Sequence, residues 1–267
     1  MQEHKKYFEA NRKLWDNKTP IHVNSEFYNM DGFLKGETSL RKIELEELSD
    51  VAGKKVLHTQ CHFGQDSLSL QRMGAQVTAV DFSSAAIDKA KALNKQLDLN
   101  ADFVCCNIYD LDKHVNEEFD LVFASYGVIA WLPDLSTWAK QISQRLRKGG
   151  EFLLVDFHPL LYMFDWDKDE LRYQYFNSGQ PEYDTEEGTY ADKNADIKME
   201  EYFWTHSLSE LMQSLMENQM EILSYKEYDY SPYNIFPKPE KRGDQEFVFK
   251  YKDIKLPHVF ALKVCKI

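Results

Sequence analysis

From about Lys55 onward, apolar runs of strand length alternate with stretches of helical period, a pattern that predicts a parallel sheet covered by helices. Strands are expected near 55–60, 76–81, 101–106, 119–125 and 151–157. The helix after Asp81 has Ser83 or Ser84 as an N-cap and an alanine-rich body. A helix from about 134 to 147 ends in basic residues followed by Gly149 and Gly150, the usual charge and conformational stop signals. Beyond Phe157 the alternation stops, and residues 159–206 are rich in aromatics and acids, which reads as a lid. Regularity returns at Ser207, where S-L-S-E matches a capping box ahead of LMQSLMENQ. Two further strands, near 221–228 and 258–266, flank a Pro- and Tyr-rich insertion, YSPYNIFPKPEKRGD. The expected organisation is one domain: a cap segment 1–50, a core 51–158, the lid 159–206, and a C-terminal helix and strands 207–267.

Composition narrows the classes. A chain of 267 residues suits one large α/β domain with insertions better than two small ones. With 44 acidic against 32 basic residues the net charge is -12, and no basic patch interrupts it, so neither nucleic acid nor a membrane surface is an expected partner. The apolar run LVFASYGVIAWL, 121–132, is shorter than the roughly 20 residues of a membrane helix and reads as a buried strand and its loop. The N-terminus, MQEHKKYFEANRKLW, is charged throughout, unlike a secretory signal, and a cytoplasmic location is expected. Cys61, Cys105, Cys106 and Cys265 show no C-x-x-C spacing and read as reduced, mostly buried thiols.

The stretch VLHTQCHFGQDSL, 56–68, has two readings. His58, Cys61 and His62 resemble crowded metal ligands, whereas a strand, a short loop and a helix start resemble a nucleotide-binding turn. Neighbouring side chains at 61 and 62 diverge, and structural zinc takes four ligands, so no metal is expected. In a doubly wound sheet, ligands sit beyond the carboxyl ends of the strands. Those positions hold TQCHFG, then Asp81, then Asn107, then Ser125-Tyr126-Gly127. Asp81 is placed to accept hydrogen bonds from two ribose hydroxyls, or to cap the following helix. Asn107 can hold an adenine amino group or turn the chain.

The order of these elements and the spacing of their polar ends resemble the class I S-adenosylmethionine-dependent methyltransferases, over about 55–157 and the last two strands. The glycine loop departs from that pattern: aligned on VL and Gly64, His58 stands at the customary acid, Gln60 at the first glycine and His62 at the second. The string QCHFG-x-D, with Trp15-Asp16, H-x-x-S-x-F-Y at 22–28, SYGV, WLPDL, FHP and HSL, resembles a bacterial branch of that superfamily. The resemblance implies a doubly wound, mostly parallel seven-stranded sheet and S-adenosyl-L-methionine as cofactor. It implies a donor site drawn from Trp15, Tyr28, Gln60, Cys61, His62, Gly64, Asp81, Phe82, Asn107, Ile108 and Ser125. Histidine tolerates positive φ better than most side chains, so His62 can occupy a former glycine position. Gln60, His62 and Asp66 would oppose a pyrophosphate, which disfavours a dehydrogenase. A methyl donor without phosphate escapes that objection.

Methyl transfer needs positioning more than a nucleophile, but a base helps an acceptor that carries a proton. His158 at the carboxyl edge is the first candidate and Tyr126 the second. The D/N/S-P-P-Y/F signature of nucleic-acid amino methylation is missing after the fourth strand. The expected function is methyl transfer to a small molecule. A donor-binding sensor, or another nucleotide-using α/β enzyme, is the alternative.

Overall fold

The computed structural model describes residues 2–267 apart from 167, 169 and 237, the first two in the expected lid and the third in the Pro- and Tyr-rich insertion. Seven strands make the main sheet: β1 (Lys55–Thr59), β2 (Gln76–Asp81), β3 (Asp102–Cys105), β4 (Phe119–Ser125), β5 (Leu146–Phe157), β6 (Met220–Tyr228) and β7 (Val259–Lys266). Their order is β6-β7-β5-β4-β1-β2-β3. Only β7 runs against its neighbours, pairing antiparallel with both β5 and β6. The central strands are near-continuous apolar runs because helices cover both faces. On one face Trp138, Phe119, Phe152 and Leu215 pack together, and on the other Phe63, Leu68, Ile87 and Phe123.

The helices are α1 (Lys5–Asn24), α2 (Met30–Leu34), α3 (Lys42–Glu47), α4 (Gln65–Arg72), α5 (Ser84–Gln96), α6 (Leu111–His114), α7 (Leu135–Arg145) and α8 (Leu208–Glu217). Ser83 caps α5 by accepting the Ala86 amide at 3.1 Å, and Asp134 caps α7 by accepting that of Thr137 at 3.0 Å. Ser207 caps α8 through the Glu210 amide at 3.1 Å. The expected box is half made, since the Glu210 carboxylate turns to His206 Nδ1 at 3.1 Å.

One boundary differs from expectation. β5 begins at Leu146, where residues 147–150 were expected to end a helix. Leu146 is buried and pairs with Phe119, and the register against β4 shifts between Phe119 and Leu121. Gly149, at φ 75°, and Gly150, whose added Cβ would lie 2.9 Å from the Arg147 carbonyl oxygen, carry the strand through that irregularity. The basic-then-glycine signal therefore marks a bulge within a strand.

Three peripheral segments gather over the carboxyl edge of the sheet. Helix α1 is fixed by Asp16, whose Oδ1 accepts the Ser83 hydroxyl at 2.7 Å and the Ala85 amide at 3.1 Å, placing a carboxylate at the N-terminus of α5. The described residues of 159–206 include a short 3-10 helix (Pro159–Met163), a ribbon of Phe164–Asp165 with Glu170–Leu171 and a hairpin of Glu182–Glu187 with Lys198–Phe203. The 230–244 insertion ends in a small hairpin, Glu240–Gly243 with Glu246–Val248.

Candidate active site

The loop from β1 to α4 keeps the conformation of a glycine-rich turn without most of the glycines. Gln60, His62 and Gly64 have φ of 54°, 51° and 79°. His62 was expected to tolerate this region; Gln60 does so as well. Each left-handed L-residue costs roughly 1–2 kcal/mol, so the surroundings must hold the turn. The Cys61 amide donates to the Val80 carbonyl at 3.0 Å, the His62 amide to Asp81 Oδ2 at 2.8 Å, and the Gln60 side-chain amide to the Val128 carbonyl at 3.0 Å. Gly64 cannot be replaced in this way, because an added Cβ would lie 2.7 Å from Phe103 Cε1 and 3.0 Å from Ala90 Cβ.

The three suspected metal ligands part company. His58 is buried with Nδ1 at 2.7 Å from the Ser67 hydroxyl, and burial lowers its pKa to about 4. The Cys61 thiol is also buried, and its pKa is pushed well up. His62 Nε2 faces His22 Nδ1 at 3.0 Å. Among the described residues no group of three or more His, Cys, Asp or Glu side chains is arranged to hold a metal.

A cavity of about 1130 Å³ opens over this loop at the carboxyl ends of β1, β2 and β4. Trp15, Tyr28, Gln60, Cys61, His62, Gly64, Asp81, Phe82, Asn107, Ile108 and Ser125 all line it, as does Tyr126. Ser83, not Asp81, caps the helix that follows, and Asp81 braces the turn and the loop. Its Oδ1 accepts the Ser83 amide at 2.8 Å, a turn contact, while its Oδ2 supports the loop through His62, and it still borders the cavity. The two carboxylate oxygens keep lone-pair capacity beyond these amides. Burial raises its pKa to about 6 although three backbone amides pull it down. Asn107 Oδ1 accepts the Tyr109 amide at 3.1 Å, which leaves its NH₂ group for a ligand.

Two buried polar atoms without protein partners belong to residues of the cavity wall, Gln60 Oε1 and His62 Nδ1; His22 Nε2 is a third such atom, on a residue outside that wall. Burial, with nearby Lys18, drops the pKa of His62 to about 3, so both rings of the pair are neutral at pH 7. A neutral imidazole pair sharing one N–H leaves one donor and one acceptor over, whichever tautomers are present.

The wall opposite the loop is aromatic and comes from the peripheral segments. The Tyr28 and Tyr190 hydroxyls meet at 2.5 Å, Phe27 stacks on Tyr233 at 5.3 Å, and Tyr126 meets the Tyr233 ring edge-on at 4.9 Å. Lys18 is 2% exposed, pairs with Glu186 and with Glu201 at 3.7 Å, and lies 5.2 Å over Trp15. Burial raises the Glu201 pKa to about 7, with Lys18 pulling down and Glu186 and Asp184 pushing up. The Arg41 guanidinium lies 5.0 Å over Tyr233 and makes no ion pair among the described residues. Sequence reasoning did not single out Lys18, Arg41, Tyr190, Glu201 or Tyr233, and it met Phe27 only as the F of the motif at 22–28. Their segments carry no period, and aromatic richness was the one available signal.

His158 does not join this group. It is 5% exposed and absent from the cavity wall. Its Nδ1 accepts the Leu160 amide at 3.1 Å, capping the 3-10 helix, and its Nε2 meets Glu227 Oε1 at 3.0 Å. His206 likewise bonds the Leu132 carbonyl at 2.7 Å and stands beside the cap of α8. FHP and HSL are thus capping devices for the lid and its exit. Tyr126 borders the cavity at φ 46°, and its hydroxyl donates to Glu44 Oε2 at 2.6 Å. The turn after Tyr126 is held by the buried Asp156 carboxylate, which accepts the amides of Gly127, Val128 and Ile129 at 2.5, 3.0 and 3.1 Å.

A sheet of this order, one antiparallel strand beside an otherwise parallel set, with its cavity over the first loop and an acid ending β2, is the architecture of class I S-adenosylmethionine-dependent methyltransferases. Residues 56–150 match the family described as "Methyltransferase domain". The ubiquinone biosynthesis O-methyltransferase of Xanthomonas oryzae is 27% identical over 133 residues, 49% of this chain and 55% of that one. An uncharacterized methyltransferase of Synechocystis is 34% identical over 131 residues, 48% of this chain and 59% of that one. The matches thus span a little over half the length of these curated relatives. Among solved structures, an S-adenosylmethionine-dependent methyltransferase of Mesorhizobium loti superposes with a TM-score of 0.57 at 15% identity, covering 87% of this chain and 100% of that one. That likeness is one of fold. Among the described residues no helix is long and apolar enough to cross a membrane.

Proposed function

We propose that the protein transfers the methyl group of S-adenosylmethionine to a small-molecule acceptor. One observation carries the reading. Asp81 and Asn107 border the same cavity as a loop whose left-handed positions hold Gln60 and His62, side chains that would obstruct a pyrophosphate. An adenosine without phosphates suits that arrangement, and a dinucleotide does not. The donor supplies an electrophilic methyl on a sulfonium.

In this reading Asp81 takes the ribose hydroxyls, and Asn107 with Ile108 and Phe82 takes the adenine. Gln60, Cys61, His62, Gly64 and Ser125 bound the amino-acid portion, and Trp15 and Tyr28 close over it. Gln60 Oε1 and one nitrogen of the His22–His62 pair offer their unused polar atoms. Arg41 offers a positive charge for a carboxylate. The cap 1–50 and the lid 159–206 belong to one domain with the core and exclude water from the reacting centre. The tyrosine contact between Tyr28 and Tyr190 joins the two covers. A sensor would need only the donor half, so the aromatic wall facing it favours an enzyme. A net charge of -12 supports a small-molecule acceptor over nucleic acid or an anionic membrane, and a cytoplasmic location fits the same composition. The QCHFG loop marks the branch of the superfamily in which we place the chain.

The test is to incubate the purified protein with methyl-labelled S-adenosylmethionine and the small-molecule fraction of a bacterial extract. Label entering a new compound supports the proposal. Tight binding of S-adenosylhomocysteine with no transfer from any extract would favour the sensor.

A further inference from the structure

Glu44 is a buried carboxylate that the reading above leaves unused. It is fully buried, and no ion pair reaches it among the described residues. Its Oε1 accepts the Arg41 amide at 3.2 Å, completing the N-terminal turn of α3. Its Oε2 accepts the Tyr126 hydroxyl at 2.6 Å. Capping alone would be served by a glutamine, which keeps the same oxygen without burying a charge. Tyr126 is unusual in its own right, since it stands at φ 46° directly after β4, strained for an aromatic L-residue. Its amide bonds the Val155 carbonyl at 2.8 Å and Asp156 fixes the next three residues, so the strain is over-determined by the fold. Its ring borders the cavity between Phe157 and Tyr233.

We infer that Tyr126 and Glu44 form a proton relay that takes the proton of an acceptor bearing an acidic O–H, N–H or S–H, with Tyr126 the contacting residue and Glu44 acting through it. This deepens the methyl-transfer reading and rests on it. A phenolic hydroxyl that donates inward to Glu44 presents its lone pairs outward, where a donor X–H can bond to it. As the acceptor atom X attacks, the X–C bond forms and the C–S bond breaks with its electron pair going to sulfur. The X proton passes to the Tyr126 oxygen while the Tyr126 proton passes to Glu44 Oε2. The products are methylated acceptor, S-adenosylhomocysteine and a protonated Glu44, which later returns its proton to solvent through Tyr126.

The groups facing Glu44 suit this task. Asp66 on α4 raises its proton affinity, Tyr126 lowers it, and Arg41 and Tyr233 stand beside them. With burial as the largest cause, the Glu44 pKa is raised to about 7. Asp66, which holds the Ser39 and Ser125 hydroxyls at 2.6 and 3.1 Å, is occupied elsewhere. An acid poised near neutral pH can both take a proton and release it in each cycle.

The experiment measures label transfer from methyl-labelled S-adenosylmethionine into the small-molecule fraction of a bacterial extract. Wild type, Glu44→Gln and Tyr126→Phe are compared between about pH 6 and 9, a span that brackets neutral general-base chemistry. Both variants should lose about 10²-fold in rate at the acid end, and the loss should shrink toward the alkaline end as the acceptor ionises unaided. Calorimetric affinity for S-adenosylhomocysteine should match wild type. Glu44→Gln can still accept the Arg41 amide, and melting curves identify any variant that fails to fold; Tyr126→Phe then carries the test. Rates equal to wild type, or a loss constant across the pH range, would overturn the relay. If wild type itself transfers no label, it is the methyl-transfer reading that has failed, and the relay falls with it.

Discussion

Replacing Gly64 by alanine probes the one position of the loop where the backbone and the packing both exclude a side chain. Its φ is 79°, and the new methyl would sit 2.7 Å from Phe103 Cε1, 2.9 Å from Cζ and 3.0 Å from Ala90 Cβ. The conformational part costs about 1–2 kcal/mol. Forcing a methyl into a packed interior adds about 1–3 kcal/mol, because Phe103 is 6% exposed and has little room to retreat. The sum, about 2–5 kcal/mol, corresponds to a melting temperature lower by roughly 4–10 °C for a domain of this size. Thermal melts of Gly64→Ala, Phe103→Leu and the double variant form a cycle. Shortening Phe103 should relieve the packing part alone, leaving a favourable coupling of about 1 kcal/mol or more between the two sites. A Gly64→Ala protein that melts with wild type would refute the reasoning, and additive losses would show that the clash with Phe103 is not what excludes the side chain.

The remaining predictions concern the site. S-adenosylhomocysteine at a hundred times its dissociation constant should stabilise the fold by about 2.7 kcal/mol and NAD should not; a melting shift with NAD alone would reverse the cofactor assignment. Asp81→Ala should weaken donor binding much more than Asp66→Ala by calorimetric titration, since Asp81 alone faces the ribose in this reading; equal losses would count against it. His158→Ala should cost about 1 kcal/mol of stability through the lost cap and leave label transfer near wild type, where a general base would cost about 10²-fold. The folded-state pKa of Glu44 is raised from 4.5 to about 7, so its stabilising contribution is full below pH 4.5 and lost as pH rises through 7. Glu44→Gln cannot titrate, so its melting temperature relative to wild type should rise between pH 5 and pH 8, and a flat difference would mean that Glu44 has an ordinary pKa. Elemental analysis of protein purified without added metal should find no stoichiometric zinc, and one zinc per chain lost on Cys61→Ser would contradict that.

Local chemistry made much of this protein legible from its sequence. Strand and helix periods located β1 to β4, because a buried parallel strand must be apolar throughout and its helix must alternate. Ser83, or its neighbour Ser84, and Ser207 announced their helices because a short polar side chain is the nearest partner for a free backbone amide. The motif order and the position of Asp81 followed from the same local rules. The start of β5 was misplaced because a bulge and a helix stop both use glycines after basic residues, and only pairing with β4 distinguishes them. The left-handed turn at Gln60 depends on the Val80 carbonyl and Asp81 of β2 and on the Val128 carbonyl of the loop after β4, groups brought to it from other segments. His158 appeared free to act until the fold supplied Glu227 from β6 and the Leu160 amide to occupy its ring. Glu44, 82 residues from Tyr126, carried no signal at all, since it sits in a short amphipathic helix like any surface glutamate. A carboxylate is recognised as unusual by what surrounds it. That environment is assembled from distant segments, so only the tertiary structure decides it.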